Sequence, residues 1–311
     1  MGTKSIFIVG VHRSGTTLMR RTLNRSDQIA ISDENHFLGH VIPSAGARYK
    51  FRKFGDLSND DNVHQLVDYI YSGEFQKSSK HRLISFHWRW ITKWIDKNDF
   101  LQRILDSDRS ERALFIIMMQ VFADHLGKPI MGEKTPIHFR YVPTLMEWFP
   151  DGKIIHMLRD PRAIFVSDLR RRKEAPITPP FKQLRRLDFL FKLYLVLQTT
   201  VIWFESIQRY YKYRRIYPNN YFLLKFEDLV SAPEKHTRQV CDFLGVEFQD
   251  KMLEQKVVSR GFQLGQAGFD AQAATRWKEH IDPWINDWFS FWFRKYLKEF
   301  GYADKHCSET L

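Results

Sequence analysis

Short apolar runs alternate along this chain with longer segments in which apolar residues recur three and four positions apart. Short runs rich in β-branched or aromatic residues are typical of strands buried in a parallel sheet, and the longer spacing is typical of helices. Strands are predicted at residues 6–9, 28–32, 129–131 and 153–158, and within 220–229. The alternation predicts an α/β fold, with a P-loop-type, mostly parallel β-sheet flanked by helices on both faces.

The helical spacing is most regular in five segments. Helices are predicted at residues 17–23, 109–126, 181–214, 233–244 and 283–299. A chain of 311 residues is compatible with one large domain, because single cores reach roughly 250–300 residues. We therefore predict a single domain over residues 1–311, with a helical insertion at about 40–128 and a polar tail at 304–311.

The loop between the first strand and the first helix has the sequence G-V-H-R-S-G-T-T at residues 10–17. Its two glycines allow the backbone to approach a ligand closely, and the helix start points unpaired N–H groups into the loop, which predicts an anion site. A nucleoside-triphosphate loop has Lys where this loop has Thr16, and here the cation is Arg13 instead. ATP or GTP hydrolysis is therefore disfavoured, while the backbone cradle is kept.

The charge balance also indicates an anionic partner. The net charge is +12 and the isoelectric point is about 9.6. The basic residues are scattered apart from one cluster at 170–173, and no nucleic-acid-binding motif is present, so no nucleic-acid partner is expected. A small polyanionic ligand accounts for part of the charge, and an acidic acceptor or a lipid surface stays open.

Two cysteines without metal-ligand spacing support neither a disulfide framework nor a metal site. The first strand begins near residue 5, which leaves no room for a signal peptide. The longest apolar stretch, residues 187–204, is interrupted by Asp188, Lys192 and Gln198, which predicts a buried amphipathic helix and no transmembrane segment. A soluble, cytoplasmic protein is expected.

The R-S-G-T-T-L sequence after an apolar strand resembles the 5′-phosphosulfate loop of sulfotransferases that use 3′-phosphoadenosine-5′-phosphosulfate (PAPS), especially the tyrosylprotein-sulfotransferase-like and bacterial branches. The resemblance implies that Arg13, Ser14, Gly15, Thr16 and Thr17 hold the phosphosulfate. The alternative is a tight strand-to-helix turn without a ligand.

A second anion site is predicted after the fourth strand. Arg159 follows the strand, Pro161 begins a helix, and Ser167 lies eight residues after the arginine. A guanidinium can bind a phosphate through two parallel hydrogen bonds. The R-x-P-x(5)-S pattern resembles the 3′-phosphate site of PAPS enzymes, which implies that Arg159 and Ser167 bind that phosphate. The resemblance also makes Arg276, a late basic residue before Trp277, a third candidate for the nucleotide.

The polar residues 32–37 follow the second strand, and ligands of open α/β sheets bind at the carboxyl ends of strands. A carboxylate there can accept a proton from an attacking hydroxyl or amine. Glu34 is placed like the catalytic Glu of tyrosylprotein-like sulfotransferases, although D-E-N-H stands here in place of E-E-T-R. His36 is an alternative base, as in the cytosolic branch, and a third possibility is that the Glu34 carboxylate only caps the next turn.

The G-E-K-T-P sequence at 132–136 reads as a charged turn after the third strand. It resembles the segment that brings a Lys to the transferring group, which makes Lys134 a further catalytic candidate. The alternative is a Glu-Lys turn on the surface. Trp88, Trp90 and Trp94 are either core residues or an aromatic wall for the acceptor.

Together these features predict a PAPS-dependent sulfotransferase without a metal requirement. It would transfer the sulfuryl group in line to a hydroxyl or amine and leave 3′,5′-phosphoadenosine (PAP), with Arg13 and Lys134 stabilising charge. Peptide tyrosines, carbohydrates, lipids and small molecules are possible acceptors, and the oligomeric state is not predicted. The alternatives are a nucleotide-kinase-like phosphoryl transferase and a non-catalytic protein that binds nucleotides or nucleic acid.

Overall fold

A five-stranded parallel β-sheet lies at the centre of the computed structural model, which describes residues 5–39, 46–72, 89–174, 181–254 and 268–303. The strand order is β2–β3–β1–β4–β5, and all neighbours are parallel. The strands are β1 Ser5–Gly10, β2 Ile29–Ser32, β3 Ile130–Lys134, β4 Lys153–Leu158 and β5 Tyr221–Lys225. All five predicted strands are therefore present.

Successive residues of β1 face opposite sides of the sheet, as the pleat requires. Phe7 and Val9 pack into the core on one face, and Ile6 and Ile8 pack into a separate core on the other face. Both faces of the sheet are therefore covered, and the predicted fold class is confirmed.

Helices and short 3-10 turns connect and cover the strands. The α-helices of the described residues are α1 Thr16–Asn24, α2 Ala47–Phe51, α3 Asp60–Tyr71, α4 Arg89–Trp94, α5 Lys97–Leu105, α6 Glu111–His125, α7 Val142–Trp148, α8 Pro161–Glu174, α9 Phe181–Leu184, α10 Asp188–Ile216, α11 Phe226–Ser231, α12 Pro233–Leu244 and α13 Pro283–Glu299. The 3-10 turns are Arg52–Phe54, Pro136–Tyr141, Asp250–Leu253, Ala271–Ala274 and Arg276–Glu279.

The structure differs from the sequence predictions at two elements. The helix predicted at 181–214 is divided into α9 and α10 by a turn in which the N–H of Leu187 donates to the carbonyl of Leu184. Strand β3 does not turn after Met131 but continues through Lys134, because β1 and β2 flank it and pair with its last residues. The charged end of β3 is thus part of the sheet.

Helices α2 to α6 lie between β2 and β3 in the chain, at the position of the predicted helical insertion. Trp90 and Trp94 pack against Phe122 of α6, and Trp94 also stacks on His125 with ring centroids 4.0 Å apart. These contacts favour the core interpretation of the tryptophan segment. Trp88 and the predicted tail at 304–311 lie outside the described residues.

The long helix α10 is held in the fold by one of its sides. Trp203 Nε1 donates to the carbonyl of Arg159 at 2.9 Å, and Ser206 Oγ lies 2.8 Å from Nε2 of the buried His156. By length and composition alone, α10 is apolar enough to cross a membrane, although less than half of its most apolar stretch is buried inside the protein. The prediction of a buried amphipathic helix did not anticipate this exposed apolar side.

We expect Trp203→Ala to destabilise the fold by about 3–5 kcal/mol, because it removes a fully buried aromatic side chain and leaves a cavity. The indole packs on Phe293 with ring centroids 4.6 Å apart. Urea unfolding followed by circular dichroism measures the change. Trp292→Ala on α13 is the matched control. Because this ring is exposed, its removal should lower the free energy of unfolding by less than about 0.5 kcal/mol. Equal losses in the two variants would contradict the structure.

Candidate active site

The loop between β1 and α1 depends on two glycines. A Cβ on Gly10 would lie 2.4 Å from the carbonyl oxygen of Met157, and one on Gly15 would lie 2.5 Å from the ring of Phe226. Gly15 has φ 93°, and the intervening Arg13 has φ 72°, which is unusual for a residue with a side chain. The loop conformation therefore requires glycine at both positions and holds Arg13 in a left-handed turn.

Unpaired donors line the inside of this loop. The first intrahelical hydrogen bond of α1 joins the N–H of Met19 to the carbonyl of Gly15, so the N–H groups of Thr16 and Thr17 have no helical acceptor. Ser14 Oγ is buried and has no hydrogen-bond partner among the described residues. A phosphate or sulfate oxygen is the acceptor that this set of donors fits.

The second predicted anion site lies beside the first. Arg13 Nε donates to Ser167 Oγ at 3.0 Å, and Nη1 of Arg159 donates to the backbone carbonyl of Arg13 at 3.0 Å. The Arg159 guanidinium lies 4.1 Å from the ring centre of Phe226, and its Nη2 donates to the carbonyl of Ala273 at 2.9 Å. The structure therefore brings Arg13, Arg159 and Ser167 into one cluster.

Arg159 is a partly buried cation whose hydrogen bonds go to carbonyl groups. Burial lowers the pKa of its guanidinium to about 10, with the nearby charge of Arg13 acting in the same direction and that of Glu227 opposing it. The side chain is therefore charged at neutral pH. Its Nε is buried without a partner in the described part of the chain. Two neighbouring cations and an unused donor fit an anionic ligand.

A second cluster lies at the carboxyl ends of β2 and β3. Lys134 Nζ is 2.7 Å from Oε1 of Glu34 and 3.0 Å from Oδ1 of Asp33, and only 2% of the lysine side chain is exposed. Nε2 of His36 lies 3.4 Å from Oε2 of Glu34. Because β3 pairs with β1, this cluster lies beside the glycine loop.

The carboxyl group of Glu34 is held in its charged form. Burial raises its pKa, but the hydrogen bond from His36 and the charge of Lys134 together bring the pKa well below its ordinary value. Burial lowers the pKa of His12, so this imidazole is neutral at neutral pH. The sequence interpretation missed His12, although it lies inside the glycine loop.

A buried network, also missed, supports the segment that carries Glu34. Thr135 Oγ1 donates to Glu133 at 2.5 Å, and Nδ1 of His138 lies 2.6 Å from the other oxygen of the same carboxylate. The N–H of Asn35 donates to Thr135 Oγ1 at 3.2 Å. The end of β3 thus fixes the backbone next to Glu34. The E-K-T sequence resembled an exposed charged turn, so no sequence signal indicated a buried carboxylate.

Arg276 lies near the Arg159 cluster, but its guanidinium pairs with Asp270 at 2.8 and 3.1 Å. The adjoining turn, 271–274, contacts Arg159 through Ala273. The segment therefore covers the arginine cluster. A direct contact of Arg276 with a nucleotide stays a prediction.

A parallel sheet with a glycine loop after β1, a lysine at the end of β3 and an arginine after β4 defines a P-loop-like α/β fold. The chain belongs to the sulfotransferase family: the model of that family matches residues 5–250. The predicted enzyme class is therefore confirmed, which favours it over the kinase-like and non-catalytic alternatives.

Similar proteins are named as sulfotransferases. A putative protein-tyrosine sulfotransferase from Caenorhabditis briggsae is 22% identical over 80% of this chain and 68% of its own length. The ω-hydroxy-β-dihydromenaquinone-9 sulfotransferase Stf3 from Mycobacterium bovis is 24% identical over 78% of this chain and 62% of its own length. The sulfotransferase domain of the Synechococcus PCC 7002 olefin synthase has the same fold, with a TM-score of 0.56 and 17% identity over 94% of this chain and 95% of that domain. This chain thus spans about two thirds of the length of the two relatives.

We expect the effect of Glu34→Gln on stability to depend on pH. A carboxyl group whose pKa is lowered by folding stabilises the fold above the unfolded-state value of about 4.3, and that stabilisation is lost as the pH falls through the folded-state pKa. The variant should therefore lose roughly 1.5–3 kcal/mol at pH 7, and the difference from the wild type should narrow below about pH 4.3.

Urea unfolding midpoints between pH 7 and pH 3 measure this dependence. Glu247→Gln, at an exposed position on the connection after α12, is the control and should match the wild type throughout. A loss in Glu34→Gln that is constant with pH would show that the charge of Glu34 makes no contribution.

Proposed function

We propose that this chain transfers the sulfuryl group of PAPS to the hydroxyl of an acceptor, with Glu34 as general base. The observation that supports this most directly is the Glu34–Lys134 ion pair of 2.7 Å beside a glycine loop with unpaired donors. A proton acceptor, a cation and an oxyanion cradle are the groups that sulfuryl transfer requires at one place.

The chain offers separate donors for the two anionic ends of PAPS. The N–H groups at the start of α1, Ser14 Oγ and Arg13 would hold the 5′-phosphosulfate. Arg159 and Ser167 would hold the 3′-phosphate. The Arg13–Ser167 hydrogen bond of the present structure would then be exchanged for bonds to the ligand.

PAPS supplies the sulfuryl group, whose S–O bond to the 5′-phosphate breaks as the acceptor oxygen bonds to sulfur, leaving PAP and a sulfate ester. Glu34 accepts the proton of the acceptor hydroxyl as that oxygen attacks. Lys134 and the loop donors stabilise the negative charge that develops on the departing phosphate oxygen.

The Lys134 contact also regulates the basicity of Glu34. In the present structure the hydrogen bond from His36 and the ammonium group of Lys134 lower the pKa of the carboxylate, which makes it a weak base. When Lys134 turns toward the phosphosulfate, Glu34 loses this partner and its pKa rises toward the range that suits a general base. His36 contacts the other carboxylate oxygen, which suits an orienting role better than that of the base.

The two curated relatives guide the choice of acceptor chemistry. The name of one specifies protein tyrosine, and the name of the other specifies a menaquinone with a terminal hydroxyl group. Both acceptors present a hydroxyl oxygen, and we therefore propose a hydroxyl for this chain too.

Calorimetric titration should show that PAP binds without a metal ion and more tightly than Mg·ATP. Arg159→Ala should weaken PAP binding roughly 10- to 100-fold, because a charge-assisted pair of hydrogen bonds is lost. Ser167→Ala should weaken it less. Arg25→Ala, an exposed arginine after α1, is the control and should bind like the wild type. Preference for Mg·ATP, or unchanged binding in Arg159→Ala, would contradict the proposed donor site.

Glu34→Gln should lower turnover about 10²- to 10⁴-fold, because the amide cannot accept the proton, while PAP affinity stays within about threefold of the wild type. Release of PAP in the presence of a panel of phenolic and alcoholic acceptors measures turnover. His36→Gln separates the two candidate bases. If His36 is the base, this second variant loses more activity than Glu34→Gln, and the proposed role of Glu34 is wrong.

A further inference from the structure

The outer side of α10 carries a row of exposed apolar side chains. Leu190, Leu197, Val201 and Phe204 are all exposed, and Val201 keeps 66% of its surface accessible. Their spacings of seven, four and three residues place them on one stripe of the helix. The stripe lies opposite the side that binds Arg159 and His156.

Helix α13 lies beside this stripe and extends it. Trp288 Nε1 donates to Thr200 Oγ1 at 3.0 Å, and Phe204 contacts Tyr296 with ring centroids 6.1 Å apart. Trp292 lies one turn after Trp288 and one turn before Tyr296, on the same side of α13. It is 57% exposed, and its neighbour Phe291 is 77% exposed. We refer to the combined surface as the apolar face, which consists of Leu190, Leu197, Val201, Phe204, Phe291 and Trp292.

Exposed apolar residues are concentrated in this region of the described chain. Among the residues that the structure describes, ten large hydrophobic side chains are exposed, and nine of them belong to α13 or to residues 187–216. Leu126 is the tenth. A contiguous apolar patch of this kind is typical of an interaction surface rather than of a random distribution.

Exposed basic residues adjoin the residues of the apolar face along the chain. Arg185 and Arg186 are exposed just before α10, and Arg294, Lys295 and Lys298 are exposed on α13. Between residues 168 and 216 the sequence has twelve Lys or Arg residues and four Asp or Glu residues. The acidic residues of α13 do not reverse this balance, since that helix has three Lys or Arg and two Asp or Glu residues.

An anionic lipid surface complements this combination. Aromatic and aliphatic side chains enter the boundary between headgroups and acyl chains, while Lys and Arg at the edge attract anionic headgroups. A second copy of the chain would instead bring two basic margins together, which is unfavourable for a protein with a net charge of +12.

The inner side of α10 excludes a spanning orientation for the folded protein. Trp203 and Ser206 on this side bond to groups of the core, and Glu205, at the edge of the outer stripe, pairs with Arg140 at 2.6 Å. Withdrawal of the helix into a bilayer would leave these groups unpaired. We propose that the apolar face docks the folded enzyme peripherally on an anionic bilayer, with α10 and α13 lying in the plane of the interface. This inference does not depend on the acceptor or the cofactor.

Vesicle co-sedimentation of the full chain tests the proposal. Binding is expected to vesicles of phosphatidylcholine that contain phosphatidylglycerol, with weaker binding to phosphatidylcholine alone and a decrease as salt is added. Val201→Ser combined with Trp292→Ser should lower the partition coefficient at least about tenfold, because apolar insertion is lost. Leu126→Ser is the matched control, since it changes an exposed hydrophobic residue outside the apolar face.

A second pair of variants tests the charge contribution. Arg294→Gln combined with Lys295→Gln should weaken binding to the anionic vesicles severalfold and change binding to phosphatidylcholine little. Arg25→Gln is the control at an exposed position on another part of the surface. Urea unfolding of each variant should match the wild type, because all the altered side chains are exposed.

Three results would overturn the proposal. One is an absence of binding to anionic vesicles by the folded wild type. Another is binding that the Val201 and Trp292 substitutions do not weaken. The third is a dimer, detected by analytical ultracentrifugation, that the same substitutions dissociate, which would identify a second copy of the chain as the occupant of the face.

Discussion

The guanidinium of Arg159 joins the segments on which the candidate site depends. It donates to the carbonyl of Arg13 in the loop after β1 and to that of Ala273 in the covering turn, and it lies on the ring of Phe226 at the end of β5. The backbone carbonyl of the arginine accepts from Trp203 of α10. Four segments far apart in the sequence therefore meet at Arg159, which links the conformation of the loop to the other three.

The two cationic clusters of the site differ in how their charge is compensated. Lys134 is paired with the carboxylates of Asp33 and Glu34, whereas Arg159 is bonded to carbonyl oxygens and lies next to Arg13. A carboxylate pair offsets much of the cost of burying a charge, and neutral carbonyls offset less of it. The arginine cluster therefore has more to gain from an anionic ligand. In the proposed mechanism Lys134 would exchange its contact with Glu34 for one with the phosphosulfate.

Local patterns were sufficient to predict the strands, the glycine loop at 10–17 and the candidate residues at the strand ends, because each of these leaves its signal within about ten neighbouring residues. Long-range contacts were not predictable in this way. The hydrogen bond between Arg13 and Ser167 spans 154 residues, and the packing of Phe226 on the glycine loop spans more. The sequence predicts a charged turn at Glu133, which is fully buried in the structure. The burial of a charged residue is not predictable locally, because it depends on partners that only the fold brings together.

In helix α10 the spacing of apolar residues did not predict which side of the helix is buried and which is exposed. A helix that is apolar on all sides loses the polar stripe from which orientation is read, and the same composition suits a core helix or a membrane span. Its two sides are nevertheless distinct in the structure. Trp203 and Ser206 form hydrogen bonds to the core, while Val201 and Phe204 are apolar and exposed. The apolar composition of α10 therefore has two sources. One side of the helix packs on the core and contacts Arg159, and the opposite side is apolar but stays exposed.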